Sequence, residues 1–353
     1  MGVARFGWRG TVLRNRVVCA VSVVLLLPAC GDGSDSGGGG GASAELQDVS
    51  LGVIHSVKFS FLPTHLAKEL GYFEEFGLNA TLEPIGAGID TLEAQIAGET
   101  DVNPHGPSPA VVNASGSGSP LKIVFSPASR LSPIIVARDD IESCEDLRGG
   151  TVATDGPGGL SHSVMEAFLA SCGININQDV EVFIGSPSDF GPVLAEGTAQ
   201  AAGQEIDDEI AIEDQFGIEL NQLANSWEIA DFHYQSVVVR EQDLESNRDV
   251  IVRVVAAIMK ANRWLNDPAN REEAIDLAVE LGTLGQTREA MEEAYDTYVG
   301  TIFPETCAEA LDVGQYESTA DLQRELGNLT GDFVFEDVVA MDVCEEAEAL
   351  VDS

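Results

Sequence analysis

Short apolar runs alternate regularly with helical patterns along this sequence from Val49 onward, and few folds satisfy such an order. A strand predicted at 49–53 is followed by a helix at 63–70 that ends at Gly71, and a second strand follows at 80–85. A strand–helix–strand order of this kind predicts a mostly parallel sheet covered by helices on both faces. We therefore expect an α/β fold.

The same alternation starts again in the middle of the chain. Strands predicted at 133–137 and 151–153 precede a helix at 161–170, whereas the pattern is almost entirely helical from Asp249. Two similar α/β halves predict two lobes, with a ligand cleft outside the carboxyl ends of the strands. The expected organisation is a first part of lobe I at 47–130, lobe II at 131–232, and a return strand of lobe I with C-terminal helices at 233–353.

The N-terminal part of the sequence has the pattern of an export signal. A basic start at 1–16 precedes an apolar run at 17–27, which is too short for a bilayer span of about 20 residues. Residues 27–30, LPAC, resemble the bacterial lipobox, in which the cysteine after the cleavage site receives a lipid; an ordinary signal peptide is the alternative. The expected segments are a signal peptide at 1–29 and, at 30–46, the lipidated Cys30 with a Gly/Ser tether.

The charge of the sequence restricts its partners. It has 18 basic and 59 acidic residues, which give a formal net charge of -41. An electrostatic field of this sign repels phosphate backbones, so we exclude nucleic acid as a partner.

Four cysteines remain beyond the N-terminal segment, and an even number in an exported chain favours disulfides. Three connectivities are possible. We favour Cys144–Cys172 and Cys307–Cys344, because each pair lies within one predicted subregion. A zinc site is the alternative, although the sequence has no CxxC or paired-histidine spacing.

Four stretches give the sequence a resemblance to a known family. They are 65–78 (HLAKELGYFEEFGL), 94–102 (AQIAGETDV), 141–152 (IESCEDLRGGTV) and 236–240 (SVVVR) with the helix beyond it. In order and spacing they resemble the extracytoplasmic solute-binding proteins of ABC importers. The similar branch is the one that takes nitrate, sulfonates, taurine or thiamine-precursor pyrimidines.

The resemblance implies a two-lobe periplasmic-binding-protein type II fold with a helical C-terminal region. It also implies a monomer, anchored to the outer face of the cell membrane through Cys30, that binds a small molecule and delivers it to permease and ATPase subunits. No catalytic residue, cofactor or metal is expected. The alternatives are a pyrimidine-precursor synthase of the same fold, in which Lys58 and His55 would serve a pyridoxal phosphate, and a surface lipoprotein with an interaction role.

Polar and aromatic residues that follow the predicted strands are the candidates for ligand binding, since ligands of open α/β sheets lie at that edge. In lobe I the candidates are His55, Ser56, Phe59, Phe61, Gly86, His105 and Ser108. In lobe II, and in the segment where the chain returns from lobe II to lobe I, they are Gly158, Gly159, Ser161, His162, Ser186, Gln204, Glu205, Trp227 and Tyr234. The loop before the 161–170 helix favours an anion, whereas Glu205 favours a cation or an N–H-rich heterocycle, so the charge of the ligand stays open.

Two further expectations concern burial. Leu92 and Ile96, on one face of a predicted helix, and Val102 are expected in the core. The acidic run at 205–209 would ordinarily form a solvated face in a protein of this charge.

Overall fold

Two sheets, each covered by helices, dominate the computed structural model of the chain. It describes residues 46–130, 134–229, 232–283 and 286–353, apart from the side chains of Trp227 and Glu228. The expected signal peptide, Cys30 and the tether as far as residue 45 lie outside these ranges. The strands are β1 (Gln47–Ile54), β2 (Leu78–Ile85), β3 (Asn103–Pro107), β4 (Leu121–Phe125), β5 (Ile134–Arg138), β6 (Thr151–Thr154), β7 (Glu181–Ile184), β8 (Ala201–Gln204), β9 (Leu220–Asn225) and β10 (Gln235–Arg240).

Lobe I is built on β1 to β4 and β10. β1 and β2 pair in parallel along their whole length, and a parallel bridge between Leu51 and Val102 brings β1 beside the chain that enters β3. β10 runs antiparallel between β3 and β4. The strand order is therefore β2-β1-β3-β10-β4.

Lobe II is built on β5 to β9 in the order β7-β6-β8-β5-β9. β6 pairs in parallel with β7 and β8, and β5 runs antiparallel between β8 and β9. Both sheets thus share one plan, in which the antiparallel strand is the one that arrives from the other lobe. The predicted α/β fold with mostly parallel sheets is confirmed.

The two segments that connect the lobes lie side by side. Arg130 and His233 form an antiparallel bridge, and the Tyr234 N–H donates to the Ser129 carbonyl at 3.1 Å. His233 also joins this pair to lobe I, because its backbone N–H donates to Thr319 Oγ1 at 2.8 Å. A hydrogen-bonded pair of crossings defines a narrow hinge between the lobes.

Helices cover both sheets and form the C-terminal part of lobe I. In the first two thirds of the chain they are α1 (Leu62–Glu69), α2 (Tyr72–Glu75), α3 (Gly88–Ala97), α4 (Ser108–Gly116), α5 (Leu160–Ser171), α6 (Pro187–Ala195), α7 (Ile206–Phe216) and α8 (Ser226–Ile229). The later helices are α9 (Glu241–Asn266), α10 (Arg271–Leu281), α11 (Arg288–Tyr298), α12 (Cys307–Ala310), α13 (Val313–Glu325), α14 (Phe335–Val338) and α15 (Met341–Val351). Short 3-10 turns lie at Phe59–Phe61, Cys144–Leu147 and Pro268–Asn270.

The expectations on burial hold in part. Leu92 and Val102 are buried in the core as predicted, but the prediction for Ile96 is wrong, because this residue near the end of α3 is 43% exposed. The acidic run at 205–209 is not a solvated face either. It begins α7, and tertiary contacts bury its four carboxyl side chains.

Both predicted disulfides, Cys144–Cys172 and Cys307–Cys344, are present, one in each lobe. Each ties elements that the chain brings together locally: the start of a 3-10 turn to the end of α5, and α12 to α15. Within the described ranges, no helix is both long and apolar enough to cross a membrane.

Candidate functional site

A cavity of about 50 Å³ lies between the lobes, beside the hinge. Since a single buried water needs about 10–15 Å³, the cavity has room for a small solute. Lobe I lines it with Ile54, Lys58, Phe61, Gly88, His105, Pro107, Tyr234 and Gln235, and lobe II with Asp155, Leu160, Ser161, Pro187, Gly203 and Glu205.

A larger groove of about 480 Å³ lies elsewhere, next to Arg130 and α12. It is an open surface groove, lined by lobe I and the first crossing, with Glu305, Glu309 and Asp312 on its walls. Because its walls do not come from both lobes, hinge closure does not enclose a ligand there. The inter-lobe cavity is therefore the better candidate.

Aromatic rings form one wall of the cavity. The loop after β1 turns into a 3-10 turn that directs Phe61 against His105, with ring centroids 5.0 Å apart, and toward Tyr234 at 6.4 Å. Phe59, two residues earlier, points the other way and packs among Tyr295, Tyr298 and Phe303. Of the two phenylalanines proposed from the sequence, Phe61 thus lines the cavity and Phe59 belongs to the core of lobe I.

His105 offers one polar group to the cavity. The Ile54 N–H donates to its Nδ1 at 3.2 Å, so a neutral ring carries its proton on Nε2. Burial, with a smaller effect of His65, lowers the pKa of His105 well below its usual value, which keeps the ring neutral. No described residue is within hydrogen-bond range of the buried Nε2, so this atom is a donor without a protein acceptor.

Lys58 reaches across from lobe I into a group of buried acids at the N-terminus of α7. Its Nζ donates to Asp208 Oδ2 and lies 3.9 Å from Glu205 Oε1. Asp207 completes the group, which we call the inter-lobe acid cluster. Burial alone would lower the pKa of Lys58, but the attraction of the three carboxyls outweighs it and raises the pKa above its ordinary value. Burial raises the pKa of both Glu205 and Asp207. The neighbouring carboxyl of Asp208 adds to this rise at both residues, and Lys58 opposes it without compensating all three acids.

Further hydrogen bonds between the lobes converge on the same point. Tyr234 Oη donates to Glu205 Oε1 at 2.7 Å, and the Phe59 N–H donates to Asp207 Oδ2 at 3.2 Å. The Ile206 N–H donates to Tyr298 Oη at 3.1 Å. These contacts hold the start of α7 against lobe I.

The glycine-rich loop before α5 contributes differently from what its sequence suggests. Asp155 turns back onto the helix N-terminus, where its Oδ1 accepts from the His162 N–H at 3.0 Å and from Ser161 Oγ at 2.8 Å. A carboxylate of the chain itself thus occupies the position where a free helix N-terminus would bind an anion.

The structure brings Phe61, His105, Ser161, Glu205 and Tyr234 together at the cavity. The other predicted residues lie beside it or away from it. Ser56 and Gln204 are buried, His55 and Gly86 are exposed, Gly158 and Gly159 end the turn before α5, and Ser186 is the N-cap residue of α6. His162 Nδ1 is hydrogen-bonded to Thr154 Oγ1, and Ser108 Oγ to His233 Nδ1 and Ser236 Oγ. The side chain of Trp227 is outside the described part.

Sequence reasoning missed several groups at the site, namely Asp155, Asp207, Asp208 and Gln235. Asp155 had no local capping signal, since it lies four residues before Gly159, the N-cap residue of α5. Asp207 and Asp208 had none, because only the fold brings Lys58 to them. Within the described ranges, no group of histidine, cysteine or acidic residues has the arrangement of a metal site.

Comparisons with known proteins bear on the family and the fold of the chain. A family model described as the NMT1-like family matches residues 42–279. YtlA of Bacillus subtilis, which carries the name of a binding protein, is 24% identical over 227 residues, covering 62% of this chain and 66% of YtlA. The chain thus spans just under two thirds of the length of the curated relatives it matches.

Two solved structures share the fold. The alkanesulfonate-binding protein SsuA from Xanthomonas axonopodis pv. citri, bound to MOPS, matches with a TM-score of 0.68 at 19% identity, over 84% of this chain and 100% of SsuA. The periplasmic nitrate-binding protein NrtA from Synechocystis PCC 6803 matches with a TM-score of 0.72 at 15% identity, over 87% of this chain and 89% of NrtA. The chain therefore has the two-lobe fold of periplasmic binding proteins.

Proposed function

Because the chain belongs to the NMT1-like family, we propose that it is the extracytoplasmic solute-binding protein of an ABC importer. It binds one small molecule between its lobes and presents the closed form to a permease. The observation that carries the proposal is the cavity beside the hinge, lined by both lobes and flanked by the inter-lobe acid cluster. A ligand that contacts both lobes stabilises the closed form over the open one, and the closed form is then the signal to the transporter.

The solute classes in keeping with the family resemblance are a sulfonate- or nitrate-like anion and a pyrimidine-like heterocycle. The proposed contacts are Phe61 and Tyr234 for stacking, and His105, Ser161 and Glu205 for hydrogen bonds. Gly88 and Gly203 also line the cavity, where an added Cβ would lie 2.7 Å from Pro107 Cγ and 3.2 Å from Ser161 Cβ, so glycine at both positions allows the wall to pack closely.

A thermal-shift screen with the purified protein tests the proposal. The compounds are sulfonates, nitrate, pyrimidines, flavins and amino acids. A ligand present at 100 times its Kd stabilises the folded form by about 2.7 kcal/mol, which is a readily measured rise in Tm. Small-angle scattering should show a smaller radius of gyration with that ligand than without it. A protein that no compound stabilises or compacts contradicts the proposal.

Tyr234→Phe provides a test of the cavity itself. It removes the hydroxyl that joins lobe I to Glu205, and one lost hydrogen bond of this kind should weaken ligand binding by about 3- to 10-fold. Tyr316→Phe is the matched control, because its buried hydroxyl is bonded to Ser236 Oγ within lobe I and does not line the cavity. Equal effects of the two changes would count against binding at this site.

The proposed membrane attachment rests on Cys30. With Cys30→Ser, the protein should move from the membrane fraction to the soluble fraction, because a serine cannot take the thioether-linked lipid. Cys19→Ser lies within the predicted signal peptide and serves as the control. Unchanged fractionation of the Cys30 variant would exclude the lipid anchor but would leave solute binding untouched.

The alternative of a pyridoxal-phosphate enzyme receives no support from Lys58. A lysine that forms a Schiff base needs a lowered pKa, so that its neutral amine can attack. Here the acids of lobe II raise the pKa of Lys58, and its Nζ is bonded to Asp208. The cleft thus favours binding over this chemistry.

A further inference from the structure

The helices that meet at the cavity carry their own negative charges. Gly88, Leu160, Pro187 and Glu205 line the cavity, and each stands at the N-terminus of a helix, namely α3, α5, α6 and α7. Helix N-termini attract anions, so four of them around one cavity would ordinarily form an anion site.

Each of these four N-termini is instead occupied by a carboxylate of the chain. Asp90 Oδ2 accepts from the Ala87 N–H at 2.6 Å, and Asp189 Oδ2 accepts from the Ser186 N–H at 2.8 Å. The corresponding bonds at α5 and α7 are His162 N–H to Asp155 at 3.0 Å and Glu205 N–H to Asp208 at 3.2 Å. Acids of the chain therefore already compensate the positive ends of these helix dipoles, and a bound oxoanion would in addition meet the carboxyl groups of Asp155 and Glu205, which line the cavity.

The ionisable side chains around the cavity have the same sign. Asp155 and Glu205 line the cavity, and Glu205, Asp207 and Asp208 surround Lys58, the only described lysine or arginine that lines the cavity or contacts the inter-lobe acid cluster. This lysine is paired with Asp208, so it has little capacity to compensate an incoming anion. The excess of buried carboxyls has to be compensated by protons or by a cation.

Two buried acceptors at the cavity lack a donor. Glu205 Oε2 has no hydrogen-bond partner among the described residues, although its Oε1 accepts from Tyr234. Gln235 Oε1 is likewise without a donor there, while its Nε2 lies 3.5 Å from the Ser60 carbonyl. Both side chains are 2% exposed and line the cavity, so each has an acceptor that a ligand N–H group would satisfy. The rings of Phe61 and Tyr234 add faces that attract a cation.

On these grounds we infer that the cleft selects a small organic cation, with a protonated amine or amidinium group that donates to Glu205 and Gln235, over an oxoanion such as nitrate or a sulfonate. The inference rests on the proposed solute-binding function and names the class of solute. Two N–H groups of one amidinium can reach two acceptors at once, and His105 Nε2 then offers a donor to a neutral acceptor elsewhere on the solute.

Paired probes of opposite charge test the inference by calorimetry and thermal shift. The cations are acetamidine, benzamidine, ethanolamine and benzylamine hydrochlorides; the anions are sodium nitrate, methanesulfonate, ethanesulfonate and benzenesulfonate, all at one ionic strength. We expect binding and a raised Tm with one or more of the cations and with none of the anions. Binding of the anions without the cations overturns the inference and leaves the proposed function standing. A protein that binds neither set, and gains no stability from any compound in the wider screen, contradicts both.

Charge-changing variants give a second readout. Glu205→Gln keeps an acceptor for Tyr234 but removes the charge, and it should weaken cation binding by about 10- to 100-fold. Glu209→Gln is the matched control on the same helix, because Glu209 is buried against Gln222 and does not line the cavity. If Glu205→Gln does not fold, Gln235→Glu is the variant to use. It adds a negative charge at the cavity, so we expect it to raise the affinity for the cation. Cation affinity that neither cavity variant changes overturns the inference.

Discussion

Lys58→Met is the sharpest test of how the lobes are held together. The change removes Lys58, the only cation that the described residues bring to the inter-lobe acid cluster, and leaves Glu205, Asp207 and Asp208 buried without a compensating charge. Removing one partner of a buried ion pair costs about 3–5 kcal/mol, a large part of the 5–15 kcal/mol that stabilises a typical domain. Protonation of the carboxyls or separation of the lobes can relieve this cost, so the figure is an upper bound for the loss.

The loss should have two signatures at neutral pH. The Tm falls, and the radius of gyration from small-angle scattering rises, because opening the hinge rehydrates the three carboxyls. Asp208→Asn alone should also destabilise, since it leaves Lys58 without its closest partner. The double variant, Lys58→Met with Asp208→Asn, should lose less than the sum of the two single changes, with a coupling of about 0.5–3 kcal/mol.

Lys68→Met is the control for this experiment. Its ion pair with Glu74 is at the surface, where such pairs contribute about 0–1 kcal/mol. The reasoning is refuted if Lys58→Met is as stable and as compact as Lys68→Met, or if the two changes in the cluster are additive.

Three further tests give independent checks, each measured by urea unfolding. Replacing Cys307 and Cys344 together by alanine should cost about 4 kcal/mol, since the bond closes a loop with a sequence separation of 37; unchanged stability under oxidising conditions would contradict this. Burial raises the pKa of Glu209 from 4.5 to about 7, so the native protein loses stability as the pH rises through that interval. Glu209→Gln should therefore be more stable than the native protein at pH 8 but not at pH 4, and an equal difference at both would refute the assignment. Leu92→Ala should cost about 2–5 kcal/mol, whereas Ile96→Ala should change stability by less than about 0.5 kcal/mol, and the reverse order would contradict their burial.

The sequence carries most of the information on the fold in its periodicity and turns. Short apolar runs alternating with helical patterns predicted both sheets, and the glycine after α1 does adopt a left-handed conformation at Gly71. The cysteine pairing followed from the same organisation, because each pair lies within one predicted subregion. β9 was not predicted, since Asn221, Gln222 and Asn225 interrupt its apolar pattern. Its pairing with β5, a non-local contact, favours the strand there.

The site was less predictable, because its chemistry depends on contacts between distant parts of the chain. The edge of the strands pointed to Phe61, His105, Glu205 and Tyr234, which do line the cavity. The buried state of Asp207 could not be inferred, since it depends on a backbone N–H of lobe I that is 148 residues away. Local sequence fixes which residues follow a strand, whereas the fold alone decides which of them meet.

β10 joins the sheet of lobe I only after the chain has passed through lobe II, and this sets the order in which the two sheets can be completed. The strands of lobe II, β5 to β9, follow one another without interruption in the chain. All five strands of its sheet have therefore left the ribosome once Asn225 has emerged. Lobe I begins earlier but lacks the strand between β3 and β4 until Arg240 follows. During synthesis, the half that starts second is therefore the first to have a full sheet, and β3 and β4 of the N-terminal half remain unjoined until β10 is made.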